Sequence, residues 1–182
     1  MTIRVRRAGP ADVPDMSRIL TASIVELCVA DHGEDPAAIA AWTRNKTPEG
    51  VAAMLANPDL LLFVAEHAGK IGAVGAVNRG GEVALNYVAP DMRFKGLSKA
   101  LLARLEAELA CLGIHEGRLE ATATARRFYE SAGWLADGPQ ATGRKVNGYP
   151  MRKVLTGRIV PPVRRHRAPR KARPIAAAPS TG

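Results

Sequence analysis

The chain opens with an alternation of period two. Ile3-Arg4-Val5-Arg6-Arg7 reads as a strand with one wet face. Gly9-Pro10-Ala11-Asp12 punctuates it. Val13, Met16, Ile19, Leu20, Ile24 and Leu27 then recur at helical spacing, predicting a helix to about Cys28. Asp31 to Pro36 breaks this pattern, and Pro36 suits the first turn of a short helical piece reaching Trp42. Thr47 and Pro48 restart a helix, as cap and first turn, that runs to Leu55 or Ala56. Period two returns in Leu60–Glu66, Lys70–Val77 and Glu82–Ala89, separated by turn signals at Ala68-Gly69 and Asn78-Arg79-Gly80-Gly81. These three read as an antiparallel meander. Leu97, Leu101, Leu105, Leu109 and Leu112 then line one helix face, stopped by Gly113. A strand over Gly117–Thr122 and a helix from Thr124 to Ala132, stopped by Gly133, follow. Trp134–Leu135 and Tyr149–Leu155 form a last strand pair around the Gly-containing loop at 138–148. The order predicts one α/β domain of the mixed α+β kind.

Composition adds a boundary. The chain has 182 residues, the size of one ordinary domain, and a net charge of +9. Residues 157–182 hold six arginines, Lys171, five prolines and no acidic residue, so residues 1–156 carry only +2. Such a segment buries too little apolar surface to offset its ordering entropy, so 157–182 reads as a disordered basic tail. It suits nucleic acid or another anionic partner, but a solubilising appendage weighs more in the balance. Two cysteines, Cys28 and Cys111, give neither a disulfide scaffold nor zinc-ligand spacing, which points to a reducing, cytoplasmic setting and to no metal. The longest clear apolar run, Leu60 to Ala65, is strand-sized, so no membrane span is expected. The N-terminal arginines lead into no apolar region, and no secretory signal is expected.

The chemistry-bearing stretch is Leu85-Asn86-Tyr87-Val88-Ala89-Pro90-Asp91-Met92-Arg93-Phe94-Lys95-Gly96-Leu97-Ser98-Lys99. A strand ends, a loop holds Arg-x-x-Gly-x-Ser, and a long amphipathic helix begins. Unsatisfied N–H groups and the macrodipole at a helix start favour an anion, and Gly96 lets a phosphate approach closely. Arg93, Lys95 and Lys99 add positive charge. Neither the P-loop nor the dinucleotide-binding glycine pattern is present. Turn and bulge roles suffice for Gly69, Gly72 and Gly75. Taken alone, the motif fits an ordinary helix start as well as a phosphate site.

Arg93-Phe94-Lys95-Gly96-Leu97-Ser98 resembles the acetyl-CoA-binding motif of the GCN5-related N-acetyltransferases (GNAT), Gln/Arg-x-x-Gly-x-Gly/Ala. Tyr87-Val88-Ala89-Pro90 is similar to the strand end that precedes it in that family. Ala125-Arg126-Arg127-Phe128-Tyr129-Glu130-Ser131-Ala132-Gly133-Trp134 resembles the family's Ala-x-x-Phe-Tyr-x-x-x-Gly-Phe segment. The likeness covers about residues 3–155 and omits the tail. Ser98 departs from the usual Gly or Ala, and Thr122 stands where the family often has Asn.

The resemblance implies a central mixed, mostly antiparallel sheet of six to seven strands with about four helices, splayed between strands 4 and 5. It implies acetyl-CoA as cosubstrate and acetyl transfer to a primary amine by direct attack in a ternary complex. Backbone at Tyr87 and Val88 would pair with the pantetheine amides. The N–H groups of Arg93, Phe94, Lys95, Gly96, Leu97 and Ser98 would hold the pyrophosphate, with Thr122 near the cofactor. Tyr129 would sit by the thioester sulfur, where a phenol can donate as thiolate charge develops. Glu82 and Glu120 are strand-borne candidates for the base that deprotonates the amine. For the acceptor, Glu26 and Trp42 are candidates, Trp42 through a cation–π contact. Asp31, His32 and the other carboxylates near them read as a solvated helix cap. A homodimer is open. Two competing readings are an acyl-CoA-binding regulatory module without turnover and a nucleic-acid-associated protein acting through its tail.

Overall fold

The run Leu60-Leu61-Leu62-Phe63-Val64-Ala65 has no wet side because its strand is covered on both faces. A computed structural model describing residues 2–141 and 148–155 places it in β2 (Leu60–His67). Leu61, Phe63 and Ala65 meet one helix layer, while Leu62 and Val64 meet the other. β2 lies between β1 (Ile3–Arg7) and β3 (Lys70–Asn78), and β4 (Val83–Val88) completes an antiparallel sheet ordered β1-β2-β3-β4. A second antiparallel sheet is ordered β5 (Glu116–Ala121), β7 (Tyr149–Val154), β6 (Leu135–Ala136). Seven strands fall within the expected number.

The helices exceed it. The described residues contain six α-helices, not about four: α1 (Val13–Leu27), α2 (Val29–His32), α3 (Pro36–Thr43), α4 (Pro48–Ala56), α5 (Leu97–Cys111) and α6 (Ala123–Ser131). The surplus includes α2, a single turn in the segment read as a break. Buried His32 pins that turn: its Nε2 donates to the Ile24 carbonyl at 3.1 Å, and its Nδ1 accepts from the Glu34 N–H at 3.0 Å. Gly33, at φ +57°, then ends the turn.

α1 and α4 cover one face of the first sheet, with Met16, Ile19, Leu20 and Val51 against Leu62, Val64 and Val74. α5 covers the other, its leucine stripe resting on Phe63, Ala73 and Val77. Gly72 is the extra residue of a bulge, since Ala65 faces Ala73 and Glu66 faces Ile71, and both Gly72 and Gly75 of β3 also serve this contact. A Cβ on Gly75 would stand 2.9 Å from Leu105 Cδ1, and one on Gly72 2.9 Å from Leu97 Cδ1.

The two sheets meet at one parallel bridge, Glu82 with Arg118, where the Arg118 N–H donates to the Gly81 carbonyl at 2.9 Å. Beyond it β4 and β5 part. β4 helps to turn away: Ala76 faces Leu85 and Val77 faces Val83, so Ala84 is skipped. Such a bulge bends its strand and sharpens the twist. The splay between strands 4 and 5 is therefore present. Among the described residues no helix is long and apolar enough to cross a membrane. The basic tail lies outside the described residues.

Gly75→Val should destabilise the fold by about 1–3 kcal/mol, because the added methyls enter a packed contact. Chemical denaturation measures this, and an unchanged midpoint would contradict the seating of α5 on β3.

Candidate functional site

The gap between β4 and β5 forms a cavity of about 350 Å³. Four elements converge on it: β4, the end of β5, the start of α5 and the length of α6. The C-terminal end of α1 closes it with Ser23, Leu27 and Cys28.

Two helices begin at this cavity, and their ends differ. α6 is closed. Thr122 Oγ1 accepts from the Ala125 N–H at 3.1 Å. Asp31, from α2, accepts from the Ala123 N–H at 2.5 Å and the Thr124 N–H at 3.3 Å, and takes the Thr124 hydroxyl at 2.7 Å. The first three donors of α6 are thus used, with a carboxylate at the positive end of the dipole. α5 is open. It starts from Gly96 at φ +84°, among the described residues no side chain caps it, and its first intrahelical bond runs from the Ala100 N–H to the Gly96 carbonyl at 3.0 Å. The N–H groups of Leu97, Ser98 and Lys99 precede that bond and point out of the helix end. All three residues line the cavity.

The loop before α5 is shaped unusually. Phe94 has φ +61°, a left-handed backbone that costs a bulky residue about 1–2 kcal/mol. Its ring is 92% exposed, with the Arg93 guanidinium 4.6 Å from its centroid. Of the residues expected at the cofactor, Tyr87, Val88, Arg93, Phe94, Gly96 and Thr122 line the cavity. Lys95 does not: its ammonium donates to the Asp91 carbonyl at 3.1 Å. Thr122 has a structural duty as the α6 cap besides its place on the wall.

Tyr129 is buried at the cavity, edge-on to Phe128 at 5.2 Å and to Trp134 at 6.1 Å. Trp134 is itself anchored, donating from Nε1 to Glu106 at 2.8 Å. Burial pushes the Tyr129 hydroxyl up to about 12, against a smaller opposing pull from the Asn86 side chain. The Cys28 thiol is likewise pushed up to about 12, by burial first and by Asp31 second. Tyr87 is raised by burial too, while its hydroxyl accepts from Trp42 Nε1 at 3.3 Å.

Besides Lys95, three candidates fall outside the wall. Glu82 is exposed in the turn beside the bridge, its carboxylate accepting from Asn78 Nδ2 at 2.9 Å. Glu26 is exposed on α1, because the burial period of that helix turns it to solvent. Trp42, half-buried on α3, is not on the wall but bonds to it, donating from Nε1 to the Tyr87 hydroxyl. Glu120 does line the cavity, with its carboxylate against Gly148. The part of the 138–148 loop at 142–147 lies outside the described residues.

Sequence reasoning overlooked Asn86 and the service of Asp31. Asn86 lines the cavity, and among the described residues its Oδ1 is buried with no partner. The available signal was its polarity between Leu85 and Val88 in an apolar strand. Asp31 meets α6 across about half of the chain, a contact with no local signature. Among the described residues no His, Cys, Asp or Glu cluster is built to hold a metal.

A family model, the acetyltransferase (GNAT) domain, matches residues 28–155. Solved structures share the fold. A GCN5-related N-acetyltransferase from Rhodopseudomonas palustris is 23% identical with a TM-score of 0.75, over 85% of this chain and 97% of that one. The PaiA N-acetyltransferase of Thermoplasma acidophilum, solved with coenzyme A, is 20% identical with a TM-score of 0.71, over 85% and 99%. The spermidine N-acetyltransferase of Vibrio cholerae, solved with CoA and spermine, is 15% identical with a TM-score of 0.61, over 84% and 95%. No curated protein matches the chain.

Asp31→Ala should cost about 1 kcal/mol of stability through the lost cap of α6. Thermal melting reads it directly, and a melting point equal to wild type would show that the cap carries no weight.

Proposed function

Because the chain belongs to the GNAT acetyltransferases, for which acetyl-CoA is the acyl donor, we propose that it passes the acetyl group directly to a primary amine held in the β4–β5 gap. The observation that carries this reading is the pair of helix starts at one cavity. α6 has its donors filled and α5 has them open, so the anion-binding end is singled out. A pyrophosphate there would take the N–H groups of the loop and first turn of α5, with the Ser98 hydroxyl as a further donor and Arg93 and Lys99 adding charge. The gap-side edge of β4 at Tyr87 and Val88 suits the amides of a pantetheine arm, which would lie along it as an added strand. These donors and this edge fit the cosubstrate's two polar parts in the right order.

The reaction needs a neutral amine, yet an alkyl amine has a pKa of about 10.4 and is mostly protonated at neutral pH. Glu120, on the cavity wall, is the residue we assign to draw that proton away, directly or through water. Asn86 Oδ1 offers a buried acceptor to an amine N–H and so helps to orient the nitrogen. The nitrogen then attacks the thioester carbonyl carbon, the C–S bond breaks with its electron pair leaving on sulfur, and the extra proton on the new amide nitrogen passes to water, which leaves a neutral amide and a thiolate.

Tyr129 meets that developing charge. Its phenol, at about 12, lies well above a simple thiol at about 8.5, so full proton transfer to the thiolate is uphill. Its role is therefore a hydrogen bond from an O–H that stays protonated. Cys28, also near 12, is a neutral thiol at physiological pH and a poor nucleophile. This favours direct transfer over an acetyl-cysteine intermediate. A binding module without turnover has no use for a buried phenol at this place, which sets that reading second.

Calorimetry with acetyl-CoA tests the site: wild type should bind, and folded Gly96→Glu, with a carboxylate in the anion cradle, should not. Equal binding by both would refute the cradle. Free-thiol release over a panel of primary amines then identifies an acceptor. With that acceptor, Tyr129→Phe should lower the rate about a hundredfold while acetyl-CoA affinity holds. A phenol raised to about 12 is fully protonated below about pH 10, so the ratio of wild-type to variant rates should stay flat from about pH 6 to 10. A ratio that falls above about pH 8 would mean that the phenol ionises earlier and acts differently.

A further inference from the structure

Phe94 is the most exposed of the large apolar side chains among the described residues, and it holds a left-handed backbone at φ +61°. Glycine would fill this position without strain and without offering apolar surface to water. Packing does not explain the ring, which is 92% exposed. Arg93 lies over it at 4.6 Å from the centroid, covering one face and fixing its tilt. The second face is open, at the outer lip of the cavity and two residues before the start of α5.

We infer that Phe94 is a stacking platform for the adenine of the acyl donor, and that it selects acyl groups carried on CoA over those carried on phosphopantetheine without a nucleotide. The inference rests on the cofactor reading above. If the pantetheine arm runs inward along β4 and the pyrophosphate sits on α5, the adenosine must leave outward past this loop. A planar base then finds an aromatic face already presented. Arg93, held against the far side, adds positive charge beside the nucleotide's phosphates. An acyl-phosphopantetheine ends at its phosphate and gains nothing from the ring.

The test compares acetyl-CoA with S-acetyl-4′-phosphopantetheine by calorimetry on wild type, Phe94→Trp, Phe94→Leu and Phe94→Ala. The Trp variant should bind acetyl-CoA at least as well as wild type. The Leu and Ala variants should bind it about tenfold more weakly, the usual loss when one base loses its aromatic partner. Affinity for the nucleotide-free thioester should be the same in all four proteins. Acetyl-CoA binding by the Leu variant within twofold of wild type overturns the inference. So does an equal loss for both ligands, which would place the effect in the loop backbone and leave the cofactor reading intact. Failure of wild type to bind acetyl-CoA at all removes the cofactor reading and this inference together.

Discussion

Past the bridge at Glu82 and Arg118, β4 and β5 each keep an edge with no strand beside it among the described residues. Backbone N–H and C=O groups in that position need partners. Much of the surrounding structure follows from this one parting. The bulge at Ala84 starts it. α5 holds the two sheets in register beneath it, and α6 and the end of α1 wall its remaining sides. An extended ligand with amides along its length is the natural complement to such an edge, which is why an edge left unpaired inside a domain is a place to look for one.

The same accounting of hydrogen bonds separates the roles of the two helices. α6 spends its N-terminal donors on Thr122 and Asp31 and so becomes a rigid mount for Tyr129. α5 leaves its donors open and becomes an electrostatic receptor. Neither helix would serve the other's purpose. A carboxylate where Gly96 stands would repel an anion, and an uncapped α6 would leave the phenol on a fraying turn.

The parts of this arrangement that were readable from the sequence are local ones. Period two and period 3.6 located the strands and the long helices, because burial on one or two faces leaves its mark every second or every third to fourth residue. The Arg93–Ser98 motif was readable because it joins a strand end to a helix start within a few positions. Contacts between distant segments were not readable. Asp31 looked like a solvated carboxylate, since nothing near it in the chain shows that α6 will arrive above it. The bond from Trp42 to Tyr87 had no local mark either, since it depends on how α3 lies against β4. Glu82 and Glu120 sat on strands beside the same gap, and only the place of the bridge told them apart. Turn and bulge roles sufficed for Gly72 and Gly75 in the sequence because the leucines that need their flatness come 25 to 30 residues later.

The leucine face of α5 packs into one core that also contains Leu119, Met151 and Trp134 from the other side of the gap. The cleft is therefore a surface opening over a continuous interior, and the two sheets are not separate lobes. Denaturation has no seam along which to begin, since melting either sheet exposes the same buried leucines. The domain should lose its structure in one all-or-none step, with calorimetric and van't Hoff enthalpies in agreement.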